Sequence, residues 1–195
     1  MLKDLLKSSR SYRSFDESVT IPYDTLCDWV DHTRYCPSSI NLQMLKFYIV
    51  TDKADCEKLL SRTRWAGKLK DVHLPPKGKA PVAYIVVCSD SQVISAAESF
   101  QKDVGIVSQT IMLAVAESGF GGCMIGSFDK AEVSSLLSLE DRFVPQLILA
   151  LGKPCEEVRL VEADKDGGVT YYRENGIHYV QKRRLADLII QERKK

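Results

Sequence analysis

The sequence predicts a single domain that mixes helices with β-strands, on three observations. Residues 81–88, PVAYIVVC, are nearly continuously apolar, which is the pattern of a central strand buried on both faces. Residues 144–151 form a second apolar run, closed by Gly152-Lys153-Pro154. Between the two runs, residues 99–118 place Val104, Val107, Ile111, Ala114, Val115 and Ser118 on one helical stripe, which Phe100, Ile106 and Leu113 widen. A helix so apolar is buried on most sides.

Composition agrees with one domain able to bury a core. The chain has 195 residues, of which 45% are hydrophobic and 27% charged. A net charge of +1 argues against a broad nucleic-acid surface. No apolar run reaches the length of a membrane span, and the opening MLKDLLKSSR lacks the apolar core of a signal peptide. Six cysteines are scattered without a CxxC pair, and three histidines show no ligand spacing. The expectation is a reduced, cytoplasmic protein without a metal.

Taken in order, residues 2–8 read as a short amphipathic helix. Pro22 near a first helical position, followed by Leu26, Trp29 and Val30, predicts a helix over 22–35 with one buried face and Trp29 in the core. Residues 47–50 read as a strand and 54–60 as a short helix. Residues 61–80 carry Arg62, Arg64, Lys68, Lys70, Lys77 and Lys79 among Gly and Pro, the composition of a surface loop or lid. Trp65 within it stacks over a planar ligand or anchors the loop. Gly119 is a natural C-cap for the long helix. Asp129 predicts the N-cap of a helix to about residue 137, with Glu132 completing a capping box. Residues 155–176 read as polar and irregular, and the last stretch as a basic cluster leading into a final helix.

Four segments carry candidate chemistry. Arg10, Ser11 and Arg13 lie in a run of serines, and arginine's planar fork of donors suits phosphate. An extended backbone puts Arg10 and Arg13 on opposite sides, so the two need not hold the same atoms. Residues 37–43, PSSINLQ, are small or amide-bearing and let another surface approach. Gly119, Gly121, Gly122 and Gly126 fall within eight residues, in neither the dinucleotide-fold nor the P-loop spacing. They suit a planar ligand resting on main-chain N–H groups, or a tight turn into an edge strand. Lys182-Arg183-Arg184 is a solvated face or a phosphate site beside a helix start.

These motifs occur in a specific order: Arg-Ser-x-Arg-x-Phe, Pro-Ser-Ser-x-Asn-x-Gln, a long buried helix into Gly-x-Gly-Gly-x-x-Ile-Gly-x-Phe-Asp, Leu-Ala-Leu-Gly-Lys-Pro, and a basic C-terminal cluster. The set resembles the FMN-dependent nitroreductase family over nearly the whole chain. The resemblance implies a three-layer α+β fold, with a central mixed β-sheet flanked by helices, in a homodimer with FMN at the interface. Residues 1–195 would be one FMN-binding domain, with 61–80 a lid-like insertion and 155–195 an extension carrying phosphate ligands.

By the same resemblance, Arg10 and Ser11 hold the FMN phosphate and ribityl chain, and Arg13 sits beside the pyrimidine edge of the flavin. Pro37, Ser38, Ser39, Asn41 and Gln43 reach the flavin of the partner subunit. Ile125, Gly126 and Ser127 face flavin N5 and O4, and Lys182 and Arg183 (or Arg184) bind phosphate. Trp65 is the substrate-side candidate. No side-chain acid or base is implied, because the flavin carries the chemistry. NADH or NADPH would be the donor and a nitroaromatic or quinone the acceptor, in ping-pong order. Cys123 reads as a small buried filler rather than a nucleophile.

The chain departs from the family pattern at Ser9, where many members have arginine, and at Met44-Leu45-Lys46, where aromatic residues are common. The same scaffold serves flavin reductases, dehalogenases and enoate reductases. A non-enzymatic FMN carrier and a polyanion-binding domain are the rival classes.

Overall fold

The computed structural model describes residues 1–69, 72–93, 100–163 and 167–190. They belong to two compact units. One comprises Met1–Trp65 and His73–Cys155, and the other Ala66–Val72 and Glu156–Lys195. Lys70 of the basic loop and Ser99, the expected start of the long helix, lie outside the described residues.

The larger unit is built on one sheet. Its strands are β1 (Phe15–Asp16), β2 (Leu45–Val50), β3 (Ala83–Asp90), β4 (Gly121–Ile125) and β5 (Phe143–Pro154). Its helices are α1 (Leu2–Ser8), α2 (Tyr23–Asp31), α3 (Lys53–Ser61), α4 (Phe100–Glu117) and α5 (Lys130–Leu136). The helix expected over 22–35 is α2 with a 3-10 turn, His32–Tyr35, added at its end. Across the sheet the order is β2, β3, β5, β4, with β1 pairing the last residues of β5.

Strand periodicity sorts the core into two faces. Ile85, Val87, Leu149 and Leu151 point to one face and pack with Leu26 and Trp29 of α2 and Val104, Ile111 and Val115 of α4. Tyr84, Val86, Cys88, Ile148 and Ala150 point to the other and pack with Leu59 of α3 and Val133 of α5. The result is a helix layer, a sheet and a second helix layer. Both faces of β3 are covered, which explains its unbroken apolar run. Trp29 is core, as its spacing predicts. It is 1% exposed, and its Nε1 donates to Ser118 Oγ at 3.0 Å.

The sheet differs from expectation in one respect: its ladders are antiparallel, not mixed. Both β3 and β4 run antiparallel to β5, so they are parallel to each other and joined by α4 as a crossover would be. Strand β5 inserts between them, and no parallel ladder forms. The parallel pairing in this unit is an isolated bridge between Ser11 and Gly122.

The smaller unit corrects the reading of the C-terminal region. Residues taken as irregular include β6 (Glu157–Glu162) and β7 (Tyr172–Glu174), and β8 is Ile177–Lys182. β8 pairs in parallel with β6 and antiparallel with β7. The expected final helix is only a 3-10 turn, Leu185–Asp187. Lys182 therefore ends a strand rather than flanking a helix start. Among the described residues no helix is long and apolar enough to cross a membrane, and no cluster of His, Cys, Asp or Glu is placed to hold a metal.

Candidate functional site

The segment after α1 lies along β4. Tyr12 N donates to Gly122 O at 2.9 Å, and Ser9 Oγ donates to Met112 O of α4 at 3.3 Å. Ser9, where the family pattern often has arginine, thus fastens the end of α1 to α4. Gly121 and Gly122 make the close approach possible. A Cβ at Gly121 would lie 2.5 Å from the Tyr12 ring and 2.5 Å from Pro154 Cγ, and one at Gly122 would lie 2.5 Å from Ala150 O. Two of the four glycines therefore serve contact within the protein. Gly126 differs, because the nearest atom to its Cβ position is Leu147 Cδ1 at 3.9 Å. Gly126 and Ser127 are exposed, directly after the buried Ile125 that ends β4.

Arg10 is half-buried. One guanidinium nitrogen, Nη2, donates to Leu6 O at 2.5 Å, at the carbonyl end of α1. Its Nε is buried with no hydrogen-bond partner. Burial pulls the guanidinium below its usual pKa, an effect that the neighbouring Tyr12 partly opposes. A charged donor that is desolvated and incompletely bonded is suited to an anion. Ser11 is exposed beside it, and Arg13 Nη1 donates to Ser11 O at 3.2 Å. The donor set and the open Gly126–Ser127 turn fit a phosphate-bearing planar group such as FMN.

Residues 61–65 are tied to this turn. Arg64 N donates to Ser127 O at 2.9 Å, Thr63 bridges Phe128, and Arg62 pairs with Glu132 at 3.2 Å. Asp129 does cap α5, accepting from Glu132 N at 2.9 Å. Glu132's own carboxylate turns to Arg62, so the capping box is half formed. Trp65 packs against the second core, and its Nε1 donates to Thr63 Oγ1 at 2.8 Å. Those contacts are the ones an anchor makes, and its surface is only partly exposed. Cys123 is buried in the same core. Burial pushes the thiols of its neighbours Cys56 and Cys88 up to about 12, so both stay protonated.

The 37–43 loop is strained and exposed. Ile40, Asn41 and Gln43 all have positive φ, at 45°, 58° and 48°. For the β-branched Ile40 this is a sterically costly conformation, and its side chain is 88% exposed. Ser38 Oγ accepts from Gln43 N at 3.3 Å, and Gln43 Nε2 donates to Asn41 Oδ1 at 3.1 Å. Ser39 turns inward. Its N–H and hydroxyl both bind the carboxylate of Asp103, on the first turn of α4. Sequence reasoning missed Asp103. An acid in the first turn of an apolar helix was visible, but nothing in the sequence connects it to a serine 64 positions earlier.

In the smaller unit, Lys182 and Arg183 are exposed. Arg184 is paired with Asp187 at 3.1 Å, which leaves its two neighbours as the better phosphate candidates.

Similarity to known proteins can be set beside this geometry. The chain is 27% identical to the oxygen-insensitive NADPH nitroreductase of Helicobacter acinonychis, covering 80% of this chain and 88% of that one. A nitroreductase family protein from Streptococcus pneumoniae superposes with a TM-score of 0.70 at 19% identity, over 99% of this chain and 100% of that one. An FMN-dependent nitroreductase from Clostridium difficile gives a TM-score of 0.65 at 22% identity, over 83% and 92%. Both superpositions carry the three-layer fold. The sequence model of the nitroreductase family matches residues 6–153, from the end of α1 through β5, and so spans the Arg10 segment, the strained loop and the Gly126 turn: the chain belongs to the nitroreductase family.

Proposed function

We propose that this nitroreductase-family oxidoreductase binds FMN through Arg10, Ser11 and Arg13, takes hydride from NADH or NADPH, and works as a homodimer. The observation that carries the cofactor reading is Arg10, a half-buried cation whose Nε has no acceptor. When bound, FMN would supply two-electron hydride transfer, in ping-pong order, to an electron-poor acceptor such as a nitroaromatic or quinone. Arg10 neutralises the phosphate, and Ser11 offers its hydroxyl to the ribityl chain. Arg13 sets positive charge at the pyrimidine edge. Ile125, Gly126 and Ser127 provide a surface without bulk for the ring system, and Trp65 borders the acceptor. Lys182 and Arg183 are the proposed phosphate cations of the smaller unit. The residues' task is to bind, orient and exclude water, with no side chain moving a proton.

Dimerisation is supported by exposed apolar side chains that a monomer gains nothing by displaying. Tyr35 is 80% exposed and Ile40 88%, and Leu185, Leu188 and Ile189 are 73%, 63% and 61% exposed. In that assembly Pro37, Ser38, Ser39, Asn41 and Gln43 meet the flavin of the partner subunit. The setting is cytoplasmic.

The direct test is the visible spectrum of the purified protein before and after anaerobic addition of NADH, then NADPH. The expected result is a flavin band that one donor bleaches. A band that persists with both would leave a carrier, and no band even after incubation with FMN would refute the cofactor assignment. A second expectation concerns Gly126→Ala. The site has room for a methyl group, so stability should change by no more than about 0.5 kcal/mol, as is typical of surface changes. The same methyl would intrude on a ring lying against the turn and weaken FMN binding by about tenfold. Unchanged affinity, measured by fluorescence titration, would move the ring elsewhere.

A further inference from the structure

We propose that Asp103 is the positioning residue that holds the 37–43 loop in its strained form and so sets how that loop meets the flavin. The inference rests on the FMN reading above. Its first ground is the loop's own energetics. Three non-glycine residues in four positions lie at positive φ, one of them β-branched. A loop left to itself relaxes from such a conformation, so something must hold it.

Packing does not. Pro37, Ile40, Asn41, Leu42 and Gln43 are all exposed, and Pro37, Ser38 and Gln43 line a cavity of about 300 Å³ rather than a filled core. The hydrogen bonds within the loop, from Gln43 N to Ser38 Oγ, Gln43 Nε2 to Asn41 Oδ1, Asn41 N to Ser38 O and Leu42 N to Ser39 O, move with it and fix nothing relative to the sheet. The tie to a rigid element is Ser39, whose N–H donates to the two Asp103 oxygens at 3.2 and 3.0 Å and whose Oγ donates to Oδ1 at 3.1 Å.

Asp103 is costly for a purely structural tie. It is 3% exposed, and among the described residues it pairs with no lysine or arginine. A buried carboxylate without a cation is expensive unless charge-strengthened hydrogen bonds and a helix N-terminal turn offset the burial. Ser39 and the first turn of α4 supply both. Helix α4 is fixed in turn by the core, with Val104 and Val107 on its next turn buried. Register thus passes from the sheet to α4, from α4 to Asp103, and from Asp103 to the loop.

The test compares wild type, Asp103→Asn, Ser39→Ala and the double variant. FMN dissociation constants come from fluorescence titration of the apoprotein, alongside apoprotein thermal midpoints and the visible circular dichroism of bound flavin. Asp103→Asn keeps the shape but replaces one acceptor by a donor facing Ser39. It should weaken FMN about tenfold and change the flavin dichroism. Because Asp103 acts through Ser39, the double variant should be no worse than Asp103→Asn alone. A lower thermal midpoint with unchanged FMN affinity and dichroism, or effects that add in full, would overturn the proposal. Should Asp103→Asn fail to fold, Ser39→Ala carries the test with the carboxylate intact. Ser39→Ala should bind FMN about threefold more weakly and change the flavin dichroism, and equal affinity and dichroism for Ser39→Ala and wild type would overturn it. Absence of FMN binding by wild type would defeat the cofactor reading and this inference together. Equal binding by wild type and Asp103→Asn defeats the inference alone.

Discussion

Replacing Arg10 by alanine will weaken FMN binding by about ten- to a hundredfold, the roughly 1.5–3 kcal/mol that hydrogen bonds to charged groups contribute. In the protein without ligand Arg10 is partly desolvated, with Nη2 on Leu6 O and a buried Nε that bonds nothing. An unpaired buried donor costs about 1–3 kcal/mol, which offsets much of what the Leu6 bond returns. The alanine variant should therefore melt within a few degrees of wild type while losing affinity for the phosphate. Arg10→Lys should fall between them, since lysine keeps the charge but not the planar fork. Ionic strength separates this effect from a loss of shape: salt should weaken wild-type binding more than that of the alanine variant. Equal affinity of wild type and Arg10→Ala for FMN would remove Arg10 from the site.

The sequence made legible what depends on local pattern. Unbroken apolar runs marked β3 and β5, because both faces of each are covered. The wide apolar stripe marked α4, and Asp129 marked the start of α5. The motif order led to the family, and with it to the three layers. What stayed illegible depends on distant pairing. The insertion of β5 between β3 and β4 is a choice of neighbour, and neither strand's composition encodes it. Val158 and Val161 are only half-buried on a polar strand, too weak an alternation to distinguish β6 from a loop. Leu185, Leu188 and Ile189 have helical spacing, but no packed face holds them in a helix, and all three are exposed. The site divides in the same way. Arg10 and Gly126 were visible as residue types suited to an anion and a flat ring. Asp103 was not, because its role exists only through Ser39.

The glycine run illustrates both outcomes and yields the largest expected effect on stability. Gly122→Ala should lower the thermal midpoint by about 6–12 °C, from an overpacking cost near 3 kcal/mol at about 2–4 °C per kcal/mol for a chain of this size. The added Cβ would lie 2.5 Å from Ala150 O and 2.7 Å from Leu151 Cδ2. The oxygen cannot step aside, because Ala150 sits in the middle of β5, paired with Tyr84 on one side and Cys123 on the other. Strand β4 must move instead, and it carries Tyr12 with it through the bond to Gly122 O. FMN affinity should therefore fall along with stability. Gly121→Ala first meets the Tyr12 and Pro154 side chains rather than the main chain of β5, so its cost should be smaller. Thermal unfolding followed by circular dichroism, with FMN titration of each variant, orders the three positions. Gly122→Ala should lose both stability and cofactor, Gly121→Ala less of each, and Gly126→Ala cofactor alone. If Gly122→Ala melted with wild type, the tight seating of β4 against β5 would be wrong, and with it the account of how the segment carrying Arg10 and Tyr12 is held along β4.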